Sequence, residues 1–127
     1  MSTPLYKLLL FIKRRPGMST EAFRDYYENV HSKLALKYDT GQLKRYIRRY
    51  VEPLGGDLDR QAEALDFDVV TELWYEDKAA FDTVAKFAAR GKLPPDVIAD
   101  EERVFDRTKI RYITVVEHET VLAGGIV

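Results

Sequence analysis

Residues 14–31, RRPGMSTEAFRDYYENVH, decide the fold because they convert a hydrophobic strand into an amphipathic helix. A Pro-Gly turn follows the two arginines, and Ser19 or Thr20 is a suitable N-cap for the helix. Apolar residues then recur at spacings of three and four to about residue 36, which predicts one buried stripe. His31, one of two histidines in the chain, borders that stripe near the end of the predicted helix.

Outward from this stretch, the chain alternates between strand and helix patterns. Segments with strand-like composition are Leu5–Lys13, Leu43–Val51, Phe67–Tyr75 and Lys109–His118. Helical patterns cover Thr20–Leu36, Lys78–Ala89 and a short stretch from about Asp96 to Phe105. The order β-α-β-β-α-β predicts an α+β fold of the ferredoxin-like type, a four-stranded antiparallel sheet with its helices on one face. A length of 127 residues fits a single domain, residues 1–127.

The composition limits the classes of function. Hydrophobic residues make up 46% and charged residues 32%, and the net charge is −1. We therefore expect neither nucleic acid nor a membrane as a partner. The absence of cysteine excludes disulfides, thiolate-bound zinc and iron–sulfur clusters, and it fits a cytoplasmic protein. No apolar run approaches the ~18 residues that span a bilayer.

The second strand alternates basic and aromatic residues. Tyr46, Arg48 and Tyr50 share one face of it. Aromatic residues between arginines can stack on nucleic-acid bases, but the balanced charge of the chain argues against that function. The alternative is an edge strand whose charges prevent aggregation.

The sheet needs more cover than one chain offers. Strands one, three and four carry apolar residues on both faces, whereas the predicted helices cover one face only. We therefore predict a homodimer that packs sheet against sheet, with the apolar tail at residues 121–127 reaching across to the partner. A cavity lined by strand residues is expected between the two sheets.

The chain also resembles the EthD family, within the dimeric α/β-barrel superfamily. The matching segments keep the family's order and are Lys13-Arg14-Arg15-Pro16-Gly17-Met18-Ser19 with Phe23, Tyr26-Tyr27, His31, Leu34-Ala35, Tyr46, Phe67-Asp68, Glu72, Trp74-Tyr75, Asp100-Glu101-Glu102, Phe105-Asp106 and Glu117-His118-Glu119. Some family members resemble enzymes that dehydrate, decarboxylate or oxidise aromatic polyketides without a metal, and others resemble accessory proteins of degradation pathways. Relatives in the wider superfamily bind haem. The resemblance implies that His31, which matches the family's helix histidine, is functional.

These observations predict a site centred on His31. Its unperturbed pKa of ~6.5 suits a general acid or base, and the alternative is a structural role at the helix end. Glu72 and Tyr46 are predicted to assist as catalytic residues. The predicted substrate-binding residues are Trp74, Asp68, Tyr112 and Tyr27. The alternative for the two strand carboxylates, Asp68 and Glu72, is pairing with Arg48 or Arg111 in a salt bridge of the sheet.

Other clusters are given no chemistry. His118 lies on a different element from His31, so no metal site is predicted. We read Asp100-Glu101-Glu102 as a solvated helix face. The overall hypothesis is a small cofactor-independent enzyme acting on a hydrophobic, aromatic or polyketide-like molecule. The alternatives are a non-catalytic ligand-binding or accessory dimer, and a haem protein with His31 as axial ligand.

Overall fold

The computed structural model describes residues 5–54 and 65–124, and it confirms the predicted order of elements. The strands of this part of the chain are β1 (Tyr6–Ile12), β2 (Leu43–Tyr50), β3 (Val69–Tyr75) and β4 (Arg111–Thr114). The α-helices are α1 (Thr20–Tyr26), α2 (Ser32–Leu36), α3 (Lys78–Ala89) and α4 (Pro95–Val104). A π-helical turn, Tyr27–His31, joins α1 to α2, and a 3-10 turn, Arg107–Lys109, precedes β4. Most of the predicted loop at 52–64, and the last three residues of the apolar tail, lie outside the described residues.

The sheet has the predicted ferredoxin-like topology. Its strand order is β2-β3-β1-β4, and all neighbouring strands run antiparallel. The basic strand β2 lies at one edge, as the charge pattern indicates.

One face of the sheet, here called the inner face, packs against the helices. Ile12 of β1 and Val69 of β3 are fully buried there, in one cluster with Phe23 and Phe105. On the same face Tyr6 of β1 contacts Phe81 of α3, with ring centroids 5.9 Å apart. Helices from both halves of the chain therefore cover the inner face.

The helix predicted at residues 20–36 contains a π-helical turn that periodicity does not reveal. Ser19 caps its start, because the Ser19 hydroxyl accepts a hydrogen bond from the backbone N–H of Ala22 at 3.1 Å. The N–H of Ser32 then bonds to the carbonyl of Tyr27, five residues back. The wider turn leaves both Tyr27 and His31 buried, and such turns are frequent at functional sites.

The last strand is shorter than predicted. The Asp106 carboxylate accepts the N–H of Thr108 and holds a 3-10 turn, so β4 begins only at Arg111. It ends at Thr114, the last residue paired with β1, and Val116 beyond it is 86% exposed.

The opposite face of the sheet, here called the outer face, is only partly covered. Its apolar residues are half-buried, and they are Leu9, Phe11, Ile47, Val70 and Ile113. Glu72 and Trp74 lie on the same face, where Glu72 forms an ion pair with Arg49 at 2.5 Å. Strands with apolar residues on both faces are therefore confirmed.

Candidate active site

A cavity of about 760 Å³ lies between the inner face of the sheet and the helices. Strands contribute Leu10, Ile12, Leu43, Tyr46, Thr71, Leu73 and Tyr75 to its lining. The helical segments contribute Tyr27, His31, Ala35, Leu36, Ala79, Ala80, Thr83, Val84, Phe87, Pro95, Val97 and Glu101, and Phe105 follows directly after α4. Residues of one chain enclose this space on the helix-covered side. It is therefore distinct from the cavity predicted between the two sheets of a dimer, which stays a prediction.

The cavity extends from the protein surface to a buried polar end. Its exposed lining residues are Leu36, Tyr38, Asp39, Thr40, Gln42, Ala79, Thr83, Phe87, Lys92 and Pro95. Its buried polar residues are Tyr27, His31, Thr71 and Glu101. A molecule in the cavity can thus contact apolar walls and buried polar groups together.

His31 is held at the buried end by a carboxylate. Its Nδ1 lies 2.8 Å from Oδ2 of Asp100 on α4, and each residue is only 3% exposed. Asp100 also accepts a hydrogen bond from the Tyr26 hydroxyl at 2.5 Å and one from Arg103 at 3.3 Å. The ring of Phe105 packs edge-on to His31, with centroids 4.9 Å apart.

The charge states of this pair follow from its surroundings. Burial lowers the pKa of His31 below 6.5, although Asp100 acts in the opposite direction. Burial tends to raise the pKa of Asp100, but the hydrogen bonds from Tyr26 and His31 outweigh it and keep that pKa lowered. Near neutral pH, His31 is therefore neutral and Asp100 ionised. An ionised carboxylate can only accept, so Nδ1 of His31 carries the proton and Nε2 keeps its lone pair.

Three hydroxyl groups line the cavity close to His31. The Tyr46 hydroxyl donates to that of Tyr27 at 3.3 Å, and the Tyr27 hydroxyl lies 2.7 Å from Oγ1 of Thr71. The rings of Tyr27 and His31 meet edge to face at 5.4 Å. Burial raises the pKa of both tyrosines, so both stay protonated. The polar end thus combines a base with neutral hydrogen-bonding groups.

The structure brings together three of the seven predicted site residues. His31, Tyr27 and Tyr46 line the cavity. Tyr112 packs against the same hydrophobic core but is not among the described lining residues.

The expectation that Glu72, Trp74 and Asp68 share a face with His31 is wrong. Glu72 and Trp74 point to the outer face, because strand side chains alternate and Thr71 points inward. Trp74 donates there to Glu72 at 2.8 Å. Asp68 accepts the backbone N–H of Arg14 at 2.7 Å instead of facing the cavity. The alternative reading, in which the strand carboxylates pair with arginines, describes these contacts, although the arginines are Arg49 and Arg14.

The interpretation of residues 100–102 as a solvated helix face is also wrong. Asp100 and Glu101 are buried, and only Glu102 is exposed. The signal was present in the spacing, since Val97, Asp100, Glu101 and Val104 follow the i, i+3, i+4, i+7 pattern of a buried helix stripe. Two carboxylates on such a stripe indicate a functional site better than they indicate a solvated surface.

Glu101 is a buried carboxyl group in the lining of the cavity. It is 2% exposed, and its Oε1 lies 3.3 Å from Nε of Arg107. Burial outweighs that arginine and raises the pKa of Glu101 to about 7. The group is therefore protonated in a substantial fraction of molecules at neutral pH.

Metal and membrane signals are lacking in the described part of the chain. Within residues 5–54 and 65–124, no three His, Asp or Glu side chains cluster so as to hold a metal ion. The described helices include none with the length and apolar character needed to cross a membrane.

The fold and site define a class: a small ferredoxin-like α+β domain with a histidine–carboxylate pair in an apolar cavity. A sequence model of the EthD domain matches residues 15–108, about three quarters of the chain. The chain therefore belongs to the EthD family, whose fold is of the dimeric α/β-barrel type. A search of curated proteins finds no match.

The raised pKa of Glu101 makes stability depend on pH. Because its pKa is about 7 in the folded chain and near 4.5 in the unfolded one, its contribution is complete below pH 4.5 and is lost as the pH rises through 7. Between pH 5 and pH 7.5 the wild type should lose about 2 kcal/mol of unfolding free energy relative to Glu101→Gln, which cannot titrate. Urea unfolding of both proteins at the two pH values measures this. The exposed neighbour is the control: Glu102→Gln should follow the wild type, and equal pH dependence in all three proteins would contradict the assignment.

Proposed function

We propose that the protein is an enzyme in which His31 acts as a general base on a small apolar molecule bound in the cavity. The observation that carries this proposal is the 2.8 Å contact between Nδ1 of His31 and ionised Asp100. It fixes the ring orientation and the tautomer, and it leaves the Nε2 lone pair for the ligand. A neutral histidine with a lowered pKa is ready to accept a proton near pH 7.

The lining of the cavity supports an aromatic or polyketide-like substrate. Aliphatic and aromatic side chains make up most of the wall, and a volume of about 760 Å³ accommodates a molecule of several fused rings. His31, Tyr27, Tyr46 and Thr71 form a cluster of polar groups that would orient such a molecule. Dehydration, decarboxylation and oxygenation of a phenolic substrate all require a proton to move, so one base serves each of them.

The lining supports haem less well. The available Nε2 of His31 fits an axial ligand, but haem also carries two propionates. Among the described residues that line the cavity, Lys92 is the only cationic one. We therefore assign no role to haem and treat the enzyme as cofactor-independent.

Exchange of carbon-bound protons tests the base directly without knowledge of the natural substrate. 2-Tetralone, a two-ring ketone with acidic protons beside its carbonyl, should exchange them for deuterium faster with the protein than in buffer alone. His31→Ala should lower this catalysed exchange about 100-fold or more. Asp100→Asn should lower it at least about tenfold, because the ring loses its ionised partner. Proton NMR in D₂O follows the loss of the signal.

His118→Ala supplies a matched control, because His118 is exposed and its removal should leave the exchange rate unchanged. Full activity of His31→Ala would contradict the proposal. Binding of 2-tetralone by the wild type without any exchange would instead favour a non-catalytic accessory protein.

We also propose that two copies pack through the outer faces of their sheets. The half-buried apolar residues of that face come from all four strands, and Leu9 pairs with Ile113 while Phe11 pairs with Val70. The segment after β4 adds exposed Val116, Val121 and Leu122. An apolar patch of this kind is typical of a homodimer interface, and the family is of the dimeric α/β-barrel type.

The mass in solution tests the dimer. At micromolar concentration, light scattering should give twice the chain mass of 14.7 kDa. Leu9→Glu places a charge on the outer face and should give the single-chain mass. Ala89→Glu, at an exposed position of α3, should leave the dimer intact. A single-chain mass for the wild type would contradict this arrangement.

A further inference from the structure

Glu101 is a buried carboxyl group that the general-base proposal does not use. It lies on the cavity wall beside Asp100, the partner of His31 on the same helix. Glu101 and His31 thus both line one cavity, on two elements that the His31–Asp100 hydrogen bond holds together.

The groups around Glu101 come from four elements. The 3-10 turn supplies Arg107, 3.3 Å away, which also approaches exposed Glu102 at 3.7 Å. Asp100 precedes Glu101 on α4. Glu101 is also coupled electrostatically to Tyr46 of β2 and to Tyr112 of β4. Of these, Asp100 stays ionised and the tyrosines stay neutral between pH 6 and pH 8.

We propose that Glu101 is the proton donor of the cavity, and that its carboxylic acid binds an acidic oxygen of the ligand: a carboxylate, a phenolate or an enolate. The donor is suited to this role by its position on an otherwise largely apolar wall. An acid there donates one strong hydrogen bond to an anionic oxygen in a region that excludes most water.

The protonation state of Glu101 supports this assignment. Burial holds its pKa at about 7, so the acid form predominates at pH 6 and the carboxylate at pH 8. The same cavity therefore accepts an anion at the lower pH and repels it at the higher pH.

The inference rests on the proposed function for its chemical meaning. When His31 removes a proton from the carbon beside a carbonyl, that proton binds Nε2 and negative charge moves to the carbonyl oxygen. The Glu101 acid then donates its proton to that oxygen, giving a neutral enol and a Glu101 carboxylate. Because a base and an acid line the same cavity, the reaction does not form a free enolate.

Binding of a pair of probes tests Glu101 without an activity assay. The probes are 2-naphthoate, which is an anion throughout pH 6–8, and 2-naphthamide, its neutral analogue. Because only the protonated form binds the anion, the Kd of the wild type for 2-naphthoate should rise about tenfold from pH 6 to pH 8. The Kd for 2-naphthamide should stay constant. Isothermal titration calorimetry measures both.

Variants separate this inference from the general-base proposal. Glu101→Gln keeps a neutral donor and should bind 2-naphthoate equally at both pH values, while Glu102→Gln should behave as the wild type. His31→Ala should retain the tenfold dependence, which excludes His31 as its source. If 2-naphthamide binds but the pH dependence of 2-naphthoate binding survives in Glu101→Gln, the role proposed for Glu101 is contradicted. The His31 proposal is then unaffected. If neither probe binds, both the ligand class and the cavity as a binding site are contradicted.

Discussion

The hydrogen bond between His31 and Asp100 is the interaction on which the site depends. It joins the π-helical turn to α4 at a point where both side chains are almost fully buried. A buried carboxylate is costly unless donors surround it, and here Tyr26, His31 and Arg103 supply them. Loss of one partner of such a pair costs roughly 3–5 kcal/mol, because the other charge remains buried without compensation. The two helical segments are therefore held in one relative position beside the cavity.

Burial then determines the protonation of the site. The apolar surroundings disfavour charge, so they lower the pKa of His31 and raise that of Glu101. The two shifts have one physical cause and opposite directions. Together they leave a neutral base and a partly protonated acid in the lining of one cavity near pH 7. If the histidine and the glutamate were exposed to water, both would be ionised at a slightly acid pH, and neither could act in these roles.

Sequence patterns predicted the secondary structure and the fold better than they predicted the residues of the site. Alternation in the strands, the Ser19 cap and the charges of β2 all act locally, and they correctly indicated the order of the elements along the chain and the edge strand. The two faces of β3 also follow from its alternation. Which of those faces meets His31 could not be read from the strand itself, because it depends on where the helices pack. Glu72 was therefore assigned to the wrong side of the sheet.

The carboxylates of α4 were missed for a different reason. Carboxylates are rarely buried, so the composition of residues 100–102 indicated a solvated surface and outweighed their helical spacing. The π-helical turn was also invisible, because one extra residue leaves the flanking periodicity almost unchanged. The family resemblance singled out His31, and only the packed structure showed that Asp100 holds it.

The tautomer of His31 is the quantity that tests this account most directly. Two-dimensional ¹⁵N NMR of the imidazole at pH 7.5, with His118→Ala used to assign the signals, distinguishes a protonated from an unprotonated ring nitrogen. The account predicts a neutral ring with the proton on Nδ1 and a free lone pair on Nε2. A ring protonated on Nε2 alone, or on both nitrogens, would contradict it.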